Sequence, residues 1–471
     1  MKNKSGLLVI AALLSAALCG CGADSGSGDG ATGIILSDEG CMVQGRGAEI
    51  HEGTVSIYSG GSYRISGSLS EGQILVNAGD SADDVIIILD GVSISSSSGP
   101  AVYIQQARNT RIRLPEGSSN IIVSGTEGGA VPEDAAGAAV YAEDDLDIEG
   151  KGQLEIRGFI NNGIGCKDDL DINDGMINVY AVNNGIKASE SLEIKGGEIH
   201  IESGNDGLKT TSDKKEGKGF VRLSGGRVDI VSRGDGISAL TELYIEDGSL
   251  NISTQGDPVQ VSSKGLKAGK GLCISGGETV LSSSDHAVQC DAGIDISGGE
   301  LSAVSAAERG ISAKGSINIS GGRISLEAAD DGMKAVEGIN MSGGSVRIIS
   351  GENGMQAGDR TSAGDRTVTA DGGELYISAY RQGINADSFR LSGGTVFILQ
   401  NDGYISCPCS TGQASLSGKF SAAKGQTVTA ADTEIESGNA CRMIYFSSPE
   451  IEPGTEYTVS DGIMLTKFRA G

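Results

Sequence analysis

The chain has 471 residues, 75 of them Gly and seven Pro, with 62 acidic against 36 basic side chains and a formal charge of −26. A chain this acidic, with no Lys/Arg block, excludes nucleic acid as a partner, and an anionic ligand would need a bridging cation. Trp is absent and aromatics make up 4%, a poor stacking platform for neutral sugars.

Lys2 and Lys4 precede an apolar run from Leu7 to Leu18 that is too short to span a membrane and reads as a secretory signal. Leu18-Cys19-Gly20-Cys21 is similar to a bacterial lipobox, with Cys21 as the lipidated residue. Ordinary signal cleavage is the plainer alternative. The reading is a lipoprotein signal peptide over 1–21 and a Gly/Ser linker over 22–33, which places an exported protein on the outer face of the membrane or the cell surface.

Residues 34–133 are strand-like but aperiodic and are expected to form an N-terminal cap and first irregular coils. From 134 to 405 a short phrase recurs. Its corner residues are Gly163, Gly185, Gly207, Gly236, Gly265, Ala287, Gly310, Gly332, Gly354, Gly383 and Gly403, with 22 residues the commonest spacing. Apolar residues alternate within each unit, as in Ile186 and Ala188, Leu192 and Ile194, Ile199 and Ile201, which predicts three short strands per unit. The expected fold is all-β: a right-handed parallel β-helix in which each strand pairs with its equivalent in the neighbouring coils about 4.8 Å away. One position after the corner lies a large apolar ladder from Ile164 to Ile384, and three positions after it a small one from Cys166 to Ala386. Only Pro258 falls between Glu133 and Cys407, as stacked strands require. Insertions around TSDKKEGK, TQGDPVQ and AGDRTSAGD are expected as outer loops. Residues 406–471 are read as a C-terminal β cap, where Cys407, Cys409 and Cys441 could supply one disulfide.

Registering the units on their corners places Asp144 over Asp168 and Asp145 over Asp169. Stacked carboxylates repel, and hard oxygen donors from neighbouring turns suit Ca²⁺. The plainer alternative is a solvated acidic face relieved by Lys167. Asn205 and Asp206, in a corner ladder that begins at Asn161, are weaker candidate ligands, because Asn also suits a tight corner and can hydrogen-bond along the axis.

Two positions after each corner the side chain is expected to point outward, giving a row of Tyr141, Gly165, Lys187, Lys209, Ser238, Lys267, Gln289, Ser312, Lys334, Gln356 and Asn385. A polar row with cations at Lys187, Lys209, Lys267 and Lys334 would lie under an extended polysaccharide, with Tyr141 as the stacking residue. The plainer reading is an ordinary polar sheet face.

The phrases GSYRISGSLSEGQILVNAGD, VIIILDGVSISSSSGPAVYI, YAEDDLDIEGKGQLEI and NNGIGCKDDLDI occur in that order. Followed by GG and NDG repeats, they resemble the carbohydrate-binding-domain-containing proteins of cellulose-degrading bacteria. The resemblance implies a right-handed β-helix similar to polysaccharide lyases that binds calcium and polysaccharides, acidic ones included, without demonstrated cleavage. Asn-Asn stands here at corners where that family favours Asp-Asp-Gly. The resulting expectation is a monomeric, calcium-dependent carbohydrate-binding lipoprotein for plant-type polysaccharide, pectin-like or cellulosic. Two alternatives remain: a calcium-dependent pectate-lyase-like enzyme with Lys187 or Lys209 as base, and a surface adhesin or spacer without a ligand.

Overall fold

The computed structural model describes residues 30–79, 84–129, 137–358, 366–391 and 393–400, with five strands beyond them. Those are Cys409–Thr411, Thr427–Thr429, Cys441–Ser447, Glu456–Ser460 and Leu465–Arg469. The signal peptide, Cys21, most of the linker, corner Gly403 and Cys407 lie outside the described residues.

Every regular element among the described residues is a β-strand. Alternation of β-branched and polar residues produces them, since a strand sends successive side chains to opposite faces. In Glu198–Ser203 (EIHIES), Ile199 and Ile201 are 2% and 0% exposed while Glu198 and Glu202 face water. A Gly-Gly pair, here Gly196-Gly197, turns the chain into such a strand. The second Gly of each pair adopts a left-handed φ, as at Gly277 (72°), Gly299 (73°) and Gly322 (82°). A Cβ on the first would press into the preceding repeat, for Gly298 at 2.2 Å from the Ser275 carbonyl oxygen. Only Gly meets both demands.

Equivalent strands of successive repeats pair in parallel and in the register set by the corners. Ile164, Ile186, Leu208, Ile237, Leu266, Val288, Ile311, Met333, Met355 and Ile384 stack one on the next, and all are 0% exposed. The small ladder beside them is also buried, from 0% exposed at Cys290 and 3% at Cys166 to 8% at Ala386. One hydrophobic cluster runs from Ile34 to Ile398. Burying a side chain of this size contributes about 1.5–3 kcal/mol, and the sum is available only to the stacked array.

The architecture nevertheless departs from the expected right-handed parallel β-helix between caps. The described strands form a 28-stranded sheet, a 15-stranded sheet and a separate 3-stranded sheet, rather than three parallel faces. All three sheets are mixed. Thr32–Leu36 with Met42–Gln44, Ala48–His51 with Thr54–Ile57, and Glu456–Ser460 with Leu465–Arg469 are antiparallel pairs. Two of the three strands expected per repeat merge where Phe220–Ser232 and Glu242–Thr254 run 13 residues without a break. The reason lies at the Gly225-Gly226 and Gly248 corners, where the backbone bends through register shifts without losing its ladder. In the N-terminal segment, Gly61–Leu69, Gln73–Asn77 and Val85–Ser96 already belong to the two large sheets. At the other end Cys409–Thr411 and Cys441–Ser447 extend the 28-stranded sheet, while the last three strands form the small one.

Candidate functional site

The 15-stranded sheet takes one strand from each repeat and carries the outward row. Tyr141 pairs with Gly165, then Lys187, Lys209, Ser238, Lys267, Gln289, Ser312, Lys334, Gln356 and Asn385. The row also extends backward to Tyr103. The two tyrosine rings stack, with centroids 5.8 Å apart and planes 26° apart. A Cβ at Gly137 or Gly165 would sit 2.8 or 3.0 Å from the Tyr141 ring, so the ring lies low across both glycines instead of standing off the sheet. Lys167 holds its ammonium 5.9 Å from the Tyr141 centroid and pairs with Glu143, which also accepts the Tyr103 hydroxyl at 3.2 Å. Burial, reinforced by the Glu143 charge, raises both phenols above the usual tyrosine value, so both remain neutral donors.

The four lysines of the row are not alike. Lys209 is tied to Asp206 at 2.6 Å and Lys267 to Asp235 at 3.4 Å. Lys187 and Lys334 carry no ion pair among the described residues.

Each corner contributes a side chain just before its Gly, and these form an axial ladder. Asn162, Asp206, Asp235, His286 and Asp331 each accept the backbone N–H of the equivalent residue in the next repeat, at 2.8–3.2 Å. Asn184 also donates to Asn162 at 2.8 Å, and Asn205 donates to Asn183 and Asn184 at 3.2 Å. Asn205 and Asp206 therefore act in the corner ladder. The Asp206 oxygens accept from the Asp235 amide and from Lys209.

The acidic cluster is brought together, and basic side chains compensate part of its charge from within. Asp147, Asp171 and Glu193 stack in register, bracketed by Arg111 on one side and Arg222 on the other. Asp169 accepts the Ser191 hydroxyl and the Lys218 ammonium, each at 2.5 Å. Lys215 lies 2.7 Å from Glu190 and 3.7 Å from Asp168. Asp144 accepts the Ala107 amide at 2.9 Å and Asp145 the Asp169 amide at 3.2 Å. Burial, with the charges of Asp169 and Asp168 added, raises the Asp145 carboxyl above the usual range despite that amide. Burial, the largest single influence, opposes the Lys218 charge, yet the bond to Asp169 together with the charges of Asp169, Glu190 and Asp145 outweighs it and holds Lys218 above the ordinary lysine value.

Calcium would require about six to eight converging oxygens. The cleft of about 240 Å³ lined by Asp145, Asp147, Asp169, Asp171 and Glu193 also admits Lys218. Among the described residues no group of three or more His, Cys, Asp or Glu side chains is arranged to hold a metal ion. With the lysine bound, the donor set does not fit a calcium ion.

Sequence reasoning missed Tyr103, Lys215 and Lys218. The repeated Val-Tyr of Val102-Tyr103 and Val140-Tyr141 signalled the first. No local pattern marked the lysines, which come from the inserted loop TSDKKEGK.

The carbohydrate-binding domain-containing protein family matches this sequence over residues 51–309 and 299–455, more than half of its length. The chain belongs to that family. A relative bearing the family's name, from Acetivibrio thermocellus, is 31% identical over 191 residues, 38% of this chain and 66% of the relative. The family member described here thus aligns with slightly under two thirds of that relative's length. A solved polysaccharide lyase-like protein from C. thermocellum, a gadolinium derivative, is 31% identical, covering 48% of this chain and 92% of that one with a TM-score of 0.45.

Proposed function

We propose that this protein binds polysaccharide along the outward row of the 15-stranded sheet, with Tyr103 and Tyr141 seating a sugar ring. The stacked pair carries the reading: an aromatic face held low over two glycines, beside the Lys167–Glu143 pair, offers a sugar both an apolar platform and polar partners. Family membership supports the same ligand class. Plant-type polysaccharide remains the proposed target, and lipidation at Cys21 remains the proposed route to the cell surface. Calcium enters this reading only as a competitor for the carboxylates that Lys215 and Lys218 engage.

Calorimetry with cello- and galacturono-oligosaccharides tests the platform. Tyr103→Ala combined with Tyr141→Ala is expected to weaken binding about tenfold, since a stacked aromatic contributes about 0.5–1.5 kcal/mol beyond its area. Unchanged affinity sinks the reading. Absorbance of unsaturated ends in the same mixtures reports any lyase activity.

A further inference from the structure

A pocket of about 470 Å³ opens on the same sheet, lined by His286, Gln289, Arg309, Ser312, Lys314 and Lys334, with apolar Ala313 and Val336 and the Cys290 thiol beneath. Its size is within the range of small-ligand sites. No Asp or Glu lines it, which is unusual on a chain of charge −26 and opposite to the acidic cleft around Asp169. Gln289, Ser312 and Lys334 are consecutive members of the outward row, and His286 and Arg309 are consecutive members of the corner ladder. The pocket therefore spans three repeats.

Its polar groups are mostly donors. His286 accepts the Arg309 amide on Nδ1 at 3.1 Å, so the neutral ring carries its proton on Nε2. Arg309 lies 3.3 Å from Asp330 and 3.5 Å from Asp331, which orient its guanidinium, and Lys314 lies 2.8 Å from Asp291. Lys334 has no such partner among the described residues. A cation without a counter-charge, next to a guanidinium fork and an imidazole N–H, suits an oxyanion.

We propose that this pocket binds an anionic sugar unit, uronate or sulfate ester, directly through N–H donors and without a bridging metal. The proposal rests on the outward row being a carbohydrate track and assigns that track a charge preference. It also revises the expectation that an acidic chain needs a cation between itself and an anionic ligand. Local charge decides the matter at this range, because the net charge is screened beyond about 8–10 Å.

The test is calorimetry of the whole protein in excess chelator, with trigalacturonate, its methyl ester and a sulfated neutral trisaccharide. The expected result is at least tenfold tighter binding of trigalacturonate than of its ester, with that ratio falling to near parity in Lys334→Gln. If the sulfated sugar shows the Lys334-dependent preference instead, the site stands with sulfate as its anion. Equal binding of acid, ester and sulfated sugar, with Tyr141→Ala weakening all three, overturns the pocket and leaves the polysaccharide reading intact. Failure of every sugar to bind removes both.

Discussion

Lys218 reaches 49 residues back along the chain to set its ammonium 2.5 Å from Asp169. This contact, with Lys215 beside Glu190, makes an inserted loop the counter-charge of the acidic stack. A partly exposed pair of this kind contributes up to about 1 kcal/mol. The wild-type melting temperature should therefore not respond to chelator. Lys215→Gln with Lys218→Gln should lower it by about 1–2 °C and make it rise on adding calcium, as freed carboxylates gain a ligand. Scanning calorimetry in chelator and in calcium checks this, and a chelator-sensitive wild type contradicts it.

Burial holds the His286 imidazole far below the usual histidine value, at about 4 against 6.5, with Asp285 and Asp330 opposing and Arg309 and Lys264 assisting. Glu308 also faces it at 3.8 Å. Between those values the unfolded chain binds the extra proton, so the contribution of His286 is complete above about pH 6.5 and is lost as the pH falls through 4. The ceiling is about 3 kcal/mol. Asp285, which burial would raise but Lys264 and the His286 amide hold low, acts in the same direction at lower pH; Asp331, raised by burial and by Asp330, acts in the opposite one. Asn fills the same ladder position at Asn162, Asn184 and Asn353, so His286→Asn preserves the acceptor and isolates the titration. Urea midpoints from pH 4 to 7 should climb less steeply in the variant; parallel curves dispose of the argument.

Adjacent residues in one short strand should respond very differently. Met333 is 0% exposed while Lys334 lies on the outer row. Met333→Ala should cost about 2–5 kcal/mol through the cavity it leaves, and Lys334→Ala less than about 0.5 kcal/mol. Denaturation midpoints of the two variants decide it, and similar losses would contradict the assignment of faces.

Cys21→Ser should move the protein from the membrane to the soluble fraction if the lipobox is read correctly. Identical partitioning of wild type and variant in a detergent phase separation rejects lipidation.

The inward ladders and the outward row were legible because a two-residue alternation anchored on one repeating corner leaves no freedom of register: the large apolar residue one position after the corner is buried in every repeat from Ile164 to Ile384. Sheet membership was not legible. Whether Leu223 and Val228 belong to one strand or two depends on how far Gly225-Gly226 can bend without breaking hydrogen bonds, a property of backbone geometry and not of side-chain pattern. The site divided along the same line. Tyr141 and the Asp144–Asp168 and Asp145–Asp169 stacks follow from periodicity. Lys215 and Lys218 do not, because an insertion has no register to read. His286 is unmarked by any sequence motif for a related reason: its three-residue offset from Gln289 acquires meaning only when the corner side chains are seen as a ladder of their own.

The outward row adds one side chain per repeat, which makes the protein a measuring scale. Eight steps separate Tyr141 from Lys334, about 38 Å at strand spacing. On the proposed binding, a trisaccharide would occupy only one end at a time, whereas a polymer that covers the distance would be held twice, its second attachment governed by effective concentration rather than by free ligand. Discrimination by chain length would then arise with no contact that senses length, and inserting or deleting whole repeats between the two ends would shift its threshold in increments of one strand spacing.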